Sequence, residues 1–281
     1  MKIKLASLLL FAFLLPEWLY AQGENQIMVH PTRIVMEDNT YDELRVTNHG
    51  PTTVLYRITV IDMEMDENGM LQTISDDEAP EWSLKPWLRI GPRQFRVGSG
   101  RTQRIRLAAP IPRDTPREYR SHLLIQAIDT NADSPSSDMR DDEGPIVLNL
   151  NMLYGVAVPV FARTPGLPVS AVKLRDINIE RDANTATGKV RLFAEFEGKR
   201  SAFGNFSVYY RPDINSERIL LGELNRIAIY HERGRNVEIP LQYVVRHPAE
   251  DSLIEVEYHT RMGNERVVLA KASLYLNSAD E

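Results

Sequence analysis

The sequence contains no cysteine. That excludes a disulfide framework, a thiolate metal site, a cysteine nucleophile and a lipid-carrying N-terminus. Positive charge is not in surplus either. Lys and Arg number 33 against 39 Asp and Glu, a net −6, so a global basic footprint for nucleic acid is missing. No stretch beyond the N-terminal segment approaches about 18 unbroken apolar residues, so no membrane span is expected in the mature chain. There is no G-x-S-x-G elbow, P-loop, H-E-x-x-H helix or Gly-rich dinucleotide turn, and the six histidines are scattered without ligand spacing. No catalytic residue, metal or other cofactor is expected. What is present, 43% apolar and 26% charged residues over 281 positions, suits a globular protein of about two domains.

Residues 1–21 read as an address. Lys2 and Lys4 precede an apolar run from Leu5 to Leu15, Pro16 and Glu17 break it, and Ala21 supplies a small residue before Gln22. The run is too short to span a bilayer of ~30 Å as a helix, so a cleavable secretory signal is expected. In a two-membrane bacterium such a chain would reach the periplasm, where thiols are oxidised.

The rest alternates with period two. Val54, Tyr56, Ile58 and Val60 form one face, as do Ile105 and Leu107 between arginines. Tyr119, Leu123, Ile125 and Ala127 oppose Arg120, His122 and Gln126. Later, Val190, Leu192, Ala194 and Phe196 repeat the pattern, followed by Phe206, Val208 and Tyr210, by Ile254, Val256 and Tyr258, and by the run from Val267 to Leu276. Such alternation marks strands buried on one face, and many short strands predict an all-β chain of two immunoglobulin-like sandwiches. Pro165-Gly166-Leu167-Pro168 is the natural joint, dividing the mature chain into 22–164 and 165–281. Asn68-Gly69 predicts a two-residue hairpin turn. The segment from Glu64 to Gly69 mimics a calcium loop, but Glu64 stands first instead of Asp and Ser75 occupies the twelfth position, so the turn is the better reading. Several of the arginines between Arg89 and Arg120 alternate with Ile or Leu, so most read as the wet sides of strands.

The longest run, Ile146 to Arg163, follows an acidic, turn-rich stretch from Asp129 to Pro145. Ile146, Leu148, Leu150, Met152 and Tyr154 share one face of this run, with Asn149 and Asn151 on the other. A ladder of that kind serves either a core or an edge that pairs with another chain, and the pattern leaves both open.

Several fragments together resemble the periplasmic chaperones of the chaperone–usher pilus pathway. They are Val29 to Val35, Val46 to Asn48, Trp87 to Phe95, Gln103 to Arg106, Pro116 to Leu123 and Tyr154 to Arg163. Leu221-Gly222, Ala228 to Tyr230 and Arg235 to Leu241 are weaker matches in the second half. The resemblance is closer to the archaic or alternate branch. It implies a boomerang of two immunoglobulin-like domains that binds pilin subunits lacking their last strand, lends them a strand, and delivers them to an outer-membrane usher. Ile146, Leu148, Leu150, Met152 and Tyr154 would then be the donated side chains. Arg33 matches the family's arginine for the subunit's C-terminal carboxylate. The family's second anchor, a lysine, falls at about Pro159, and Arg120 is the substitute candidate. Self-association of the subunit-free chain is compatible with the same picture. The alternative is an exported two-domain adhesin or envelope structural protein.

Overall fold

The computed structural model describes residues 27–37, 41–114, 116–128, 155–181, 187–230, 234–243, 245, 249 and 251–276. The signal segment, the acidic stretch 129–145 and the ladder from Ile146 to Tyr154 lie outside these residues. Strands dominate. The first group comprises β1 (Ile27–His30), β2 (Ile34–Met36), β3 (Tyr41–Asn48), β4 (Val54–Ile61), β5 (Met63–Met65) and β6 (Leu71–Thr73). It continues with β7 (Arg89–Gly91), β8 (Gln94–Val97), β9 (Thr102–Ala108), β10 (Glu118–Ile128) and β11 (Gly155–Arg163). The second group is β12 (Ala171–Arg181), β13 (Gly188–Glu197), β14 (Ala202–Arg211), β15 (Ile219–Ile229), β16 (Arg235–Leu241), β17 (Leu253–Met262) and β18 (Glu265–Tyr275). Among the described residues no helix is long and apolar enough to cross a membrane.

Each group folds into a sandwich, so the chain is all-β with two immunoglobulin-like units. In the first, the sheet β1-β3-β9-β7 faces the sheet β2-β11-β10-β4-β8. In the second, β12-β13-β16 faces β15-β14-β17-β18. The alternation in the sequence has a direct cause in this packing. Val54, Tyr56 and Ile58 of β4, Ile105 and Leu107 of β9, and Leu123 and Ile125 of β10 are all buried in one core. Val190, Leu192, Phe206, Val208, Ile254 and Val256 form the other. Each buried Val, Leu or Ile contributes about 1.5–3 kcal/mol, so period-two patterning fixes which face turns inward.

The N-terminal strand changes sheets. β1 pairs antiparallel with β3, whereas β2 pairs parallel with β11. Arg33 stands at the end of the crossing between them. β2 meets only Val160, Phe161 and Ala162 of β11, so the outer edge of β11 from Gly155 to Pro159 has no strand partner among the described residues.

The hairpin β5–β6 differs from the expected two-residue turn. Asp66 N–H donates to Met70 O, Gly69 N–H donates to Asp66 O, and the Asp66 carboxylate accepts both Asn68 N–H and Met70 N–H. One aspartate therefore closes a longer turn, and only Gly69, at φ 81°, adopts the left-handed conformation. This tip reaches the second sandwich, where Asn236 N–H donates to Glu67 O at 2.6 Å. A Cβ on Gly69 would lie 2.0 Å from Arg235 Nη2. Gly69→Ala should therefore lower stability by about 1–2 kcal/mol, measurable by urea unfolding, through the left-handed backbone and the displaced arginine together. Gly222 is constrained differently, since a Cβ there would meet Pro240 O at 2.2 Å, where β15 crosses close to β16.

Candidate functional site at the junction of the two sandwiches

The outer face of β10 and β11 is not wet where it meets the second sandwich. Glu118, Arg120, His122, Phe161 and Arg163 all point away from the first core, yet all are buried. Glu118 accepts Arg163 Nε–H at 2.7 Å and Ser201 N–H at 3.2 Å, and the Ser201 hydroxyl donates to it as well. Arg163 also donates from Nη1 to Glu37 at 2.6 Å and from Nη2 to Ser201 O at 3.2 Å. These contacts tie β10 and β11 to the β13–β14 connection. Arg226 Nη2, donating to Thr32 Oγ1 at 2.6 Å, adds a further tie.

Beside this network lies a cleft of about 270 Å³ between the sandwiches. Its basic walls are Arg33, Arg163, Arg200 and Arg261, and Glu37 is its one acidic wall residue among the described residues. Arg33 is held by aromatic faces. Its guanidinium carbon is 3.9 Å from the Phe161 ring centroid and 4.7 Å from that of Phe203, which belongs to β14. Among the described residues no hydrogen bond or ion pair reaches the guanidinium. Burial is the main reason its pKa falls to about 10, with the charge of Arg163 adding to the effect and Tyr230, Glu118 and Tyr258 opposing it. It remains charged at neutral pH. A desolvated cation stacked between rings, with its N–H edge unused, is chemically a receptor for an anion.

Arg120, the substitute candidate for the second anchor, lies away from this cleft wall. It is 1% exposed, the largest fully buried side chain among the described residues, with its guanidinium carbon 3.8 Å from the Trp82 ring and 4.6 Å from the Tyr230 ring. The segment around Trp82 closes over it, Arg120 N–H donating to Trp82 O and accepting Leu84 N–H on its own carbonyl. A carboxylate arriving from solvent meets no open guanidinium there. Alternation placed Arg120 opposite the core correctly, but gave no sign that Trp82 and Tyr230 cover that face. Arg200 and Glu37 were missed because neither lies in a patterned strand. Ile146, Leu148, Leu150, Met152 and Tyr154 lie outside the described residues.

His122 sits beside Arg120 at 1% exposure, and neither ring nitrogen has a hydrogen-bond partner among the described residues. Its pKa is lowered to about 4, by burial first, then by Arg120 and Arg33, against a raising influence from Asp62. The unfolded chain thus takes up this proton first as pH falls. Stability from this group is intact above about pH 6.5 and should decline by about 2–3 kcal/mol towards pH 4. His122→Leu should flatten that part of the dependence, as read by urea unfolding at about pH 7 and pH 4.5. The shift of His259, in the same direction, would remain.

Elsewhere, Ser207 Oγ is 2.9 Å from His259 Nε2 and 3.3 Å from a Glu223 oxygen. Ser207 is fully buried, so this pair has no access to a substrate. Among the described residues no group of three His, Asp or Glu is placed to hold a metal ion.

No family model matches the sequence, and no curated protein sequence matches it. Solved structures do. The E. coli chaperone DraB shares 15% identity, covering 90% of this chain and 97% of that one, with a TM-score of 0.45. The Pseudomonas aeruginosa CupB2 chaperone shares 14% identity over 89% of this chain and 100% of that one, TM-score 0.45. A chain of the Salmonella enterica SafA pilin–SafB chaperone complex shares 13% over 91% and 99%, TM-score 0.45. Over most of its length the chain is similar to solved structures of fimbrial chaperones.

Proposed function

We propose that this protein is an exported chaperone for pilus subunits, which lends them a strand continuous with β11 and holds their C-terminal carboxylate on Arg33. It would cap subunits in the periplasm and pass them to an outer-membrane usher. The observation that carries the reading is the β11 edge, uncovered among the described residues, beside an Arg33 that no described side chain pairs. An open strand edge offers backbone N–H and C=O groups to an incoming chain, and alternate side chains then choose the partner. Parity supports the same reading. Val156, Val158, Val160 and Ala162 face the core, and the ladder Ile146, Leu148, Leu150, Met152, Tyr154 has the same parity in the sequence. A strand continued towards the N-terminus of β11 would carry one unbroken apolar face from this protein's core into a subunit's groove. No chemistry is required: capture and release run on binding energy.

Periplasmic co-expression with a pilin-like subunit from the same locus tests the proposal. The expected result is a one-to-one complex that protects the subunit from proteolysis. A subunit equally abundant without this protein would refute it and favour an adhesive or structural role.

A further inference from the structure

The cleft already contains a carboxylate. Glu37 follows β2 directly, its side chain is 42% exposed, and a single oxygen, Oε1, accepts from Arg163 Nη1 at 2.6 Å and from Arg200 Nη2 at 2.5 Å. The two arginines are not equivalent. Arg163 keeps Glu118 and Ser201 O as acceptors if Glu37 turns away, so its charge stays paired. For Arg200, Glu37 is the one ion-pair partner among the described residues, and its side chain is 19% exposed. Arg200 precedes β14 in the second sandwich, whereas Arg33 and Glu37 belong to the first. The cleft thus has one stacked arginine without an anion and a second arginine, from the other domain, held by a half-exposed carboxylate that can turn outward.

We propose that Glu37 is a placeholder for the ligand, and that an incoming C-terminal carboxylate displaces it from Arg200 while engaging Arg33. This inference rests on the carboxylate-anchoring reading above and supplies its second anchor, which then comes from the second domain and bridges the two sandwiches. The remaining walls restrict the ligand class. Val169, Phe203, Met262 and Leu269 line the same cleft, with Val169 and Met262 exposed by 54% and 44%. A peptide C-terminus whose last side chain is apolar satisfies both halves of the site, the charge on the arginines and the side chain on these residues. While free, the protein avoids leaving two desolvated cations unpaired, and the internal carboxylate sets a threshold that only a well-placed ligand passes.

The test uses the full-length mature protein and a fluorescein-labelled hexapeptide ending in phenylalanine, as free acid and as C-terminal amide, read by anisotropy at low salt. The wild type should prefer the acid. Glu37→Gln should raise that preference about fivefold by releasing Arg200, and Arg200→Gln should lower it about tenfold, the size of one charge-assisted hydrogen bond. Arg200→Lys, which keeps the charge, should restore part of the preference, and this guards against a folding defect in the glutamine variant. If Glu37→Gln leaves the ratio unchanged or lowers it, or Arg200→Gln has no effect while Arg33→Gln abolishes the preference, the placeholder is wrong and Arg33 anchoring stands. If the wild type binds acid and amide alike, or binds neither, anchoring on Arg33 fails and this inference fails with it.

Discussion

Glu118→Ala should destabilise the protein by about 3–5 kcal/mol, the largest stability effect expected of any single substitution here. The Glu118 side chain is fully buried and receives Arg163 Nε–H together with the amide and hydroxyl of Ser201 across the domain junction. Alanine leaves Arg163 enclosed with only Glu37 and Ser201 O as acceptors, and it orphans a buried amide as well. The cost comes from buried N–H groups left without Glu118 as acceptor, on Arg163 and on Ser201, so it should be recovered in part in Glu118→Leu/Arg163→Met, which removes the arginine's. Two domains need not unfold together, and the loss should appear in the first transition of a urea titration. A Glu118→Ala protein within about 0.5 kcal/mol of the wild type, a change typical of surface sites, would mean that the network does not hold the junction.

On binding, the largest effect is expected from Leu150→Ala/Met152→Ala. If these side chains fill a subunit's groove, truncating both removes roughly 3–6 kcal/mol of apolar burial, or about 10²–10⁴-fold in affinity. Capture should be lost while thermal unfolding of the free protein stays nearly unchanged. Asn149→Ala/Asn151→Ala, of opposite parity, should be nearly neutral for capture. Loss of folding in the Leu150/Met152 variant would assign the ladder to this protein's own core, the other use of such a pattern.

Much of the fold was legible because burial and strand period coincide. Tyr56 between Leu55 and Arg57, or Ile105 between Arg104 and Arg106, can satisfy both faces of a strand in one way only. The outer face of β10 was legible only in part. Period two assigned Arg120 and His122 to the side away from the core, and that is where they are. Whether that side meets water depends on a second domain whose docking leaves no periodic trace, so two residues read as wet are 1% exposed. The resemblance singled out Arg33, but the aromatic pair that holds it left no trace, because Phe161 and Phe203 lie 42 positions apart and meet only when the sandwiches dock. The Asn68-Gly69 turn was misjudged for a local reason: Asp66, two residues earlier, caps the loop with its carboxylate and leaves only Gly69 in the left-handed region.

The most direct test of strand lending is site-specific photo-cross-linking in a co-expressed complex with a pilin-like subunit. A photoreactive phenylalanine would be placed at Leu150 or Met152 and, separately, at Asn149 or Asn151. The account predicts strong cross-links into the subunit from 150 and 152 and weak ones from 149 and 151, since only one face of the lent strand enters the groove. Equal cross-linking from both parities, or none from 150 and 152 in a complex that still forms, would contradict it.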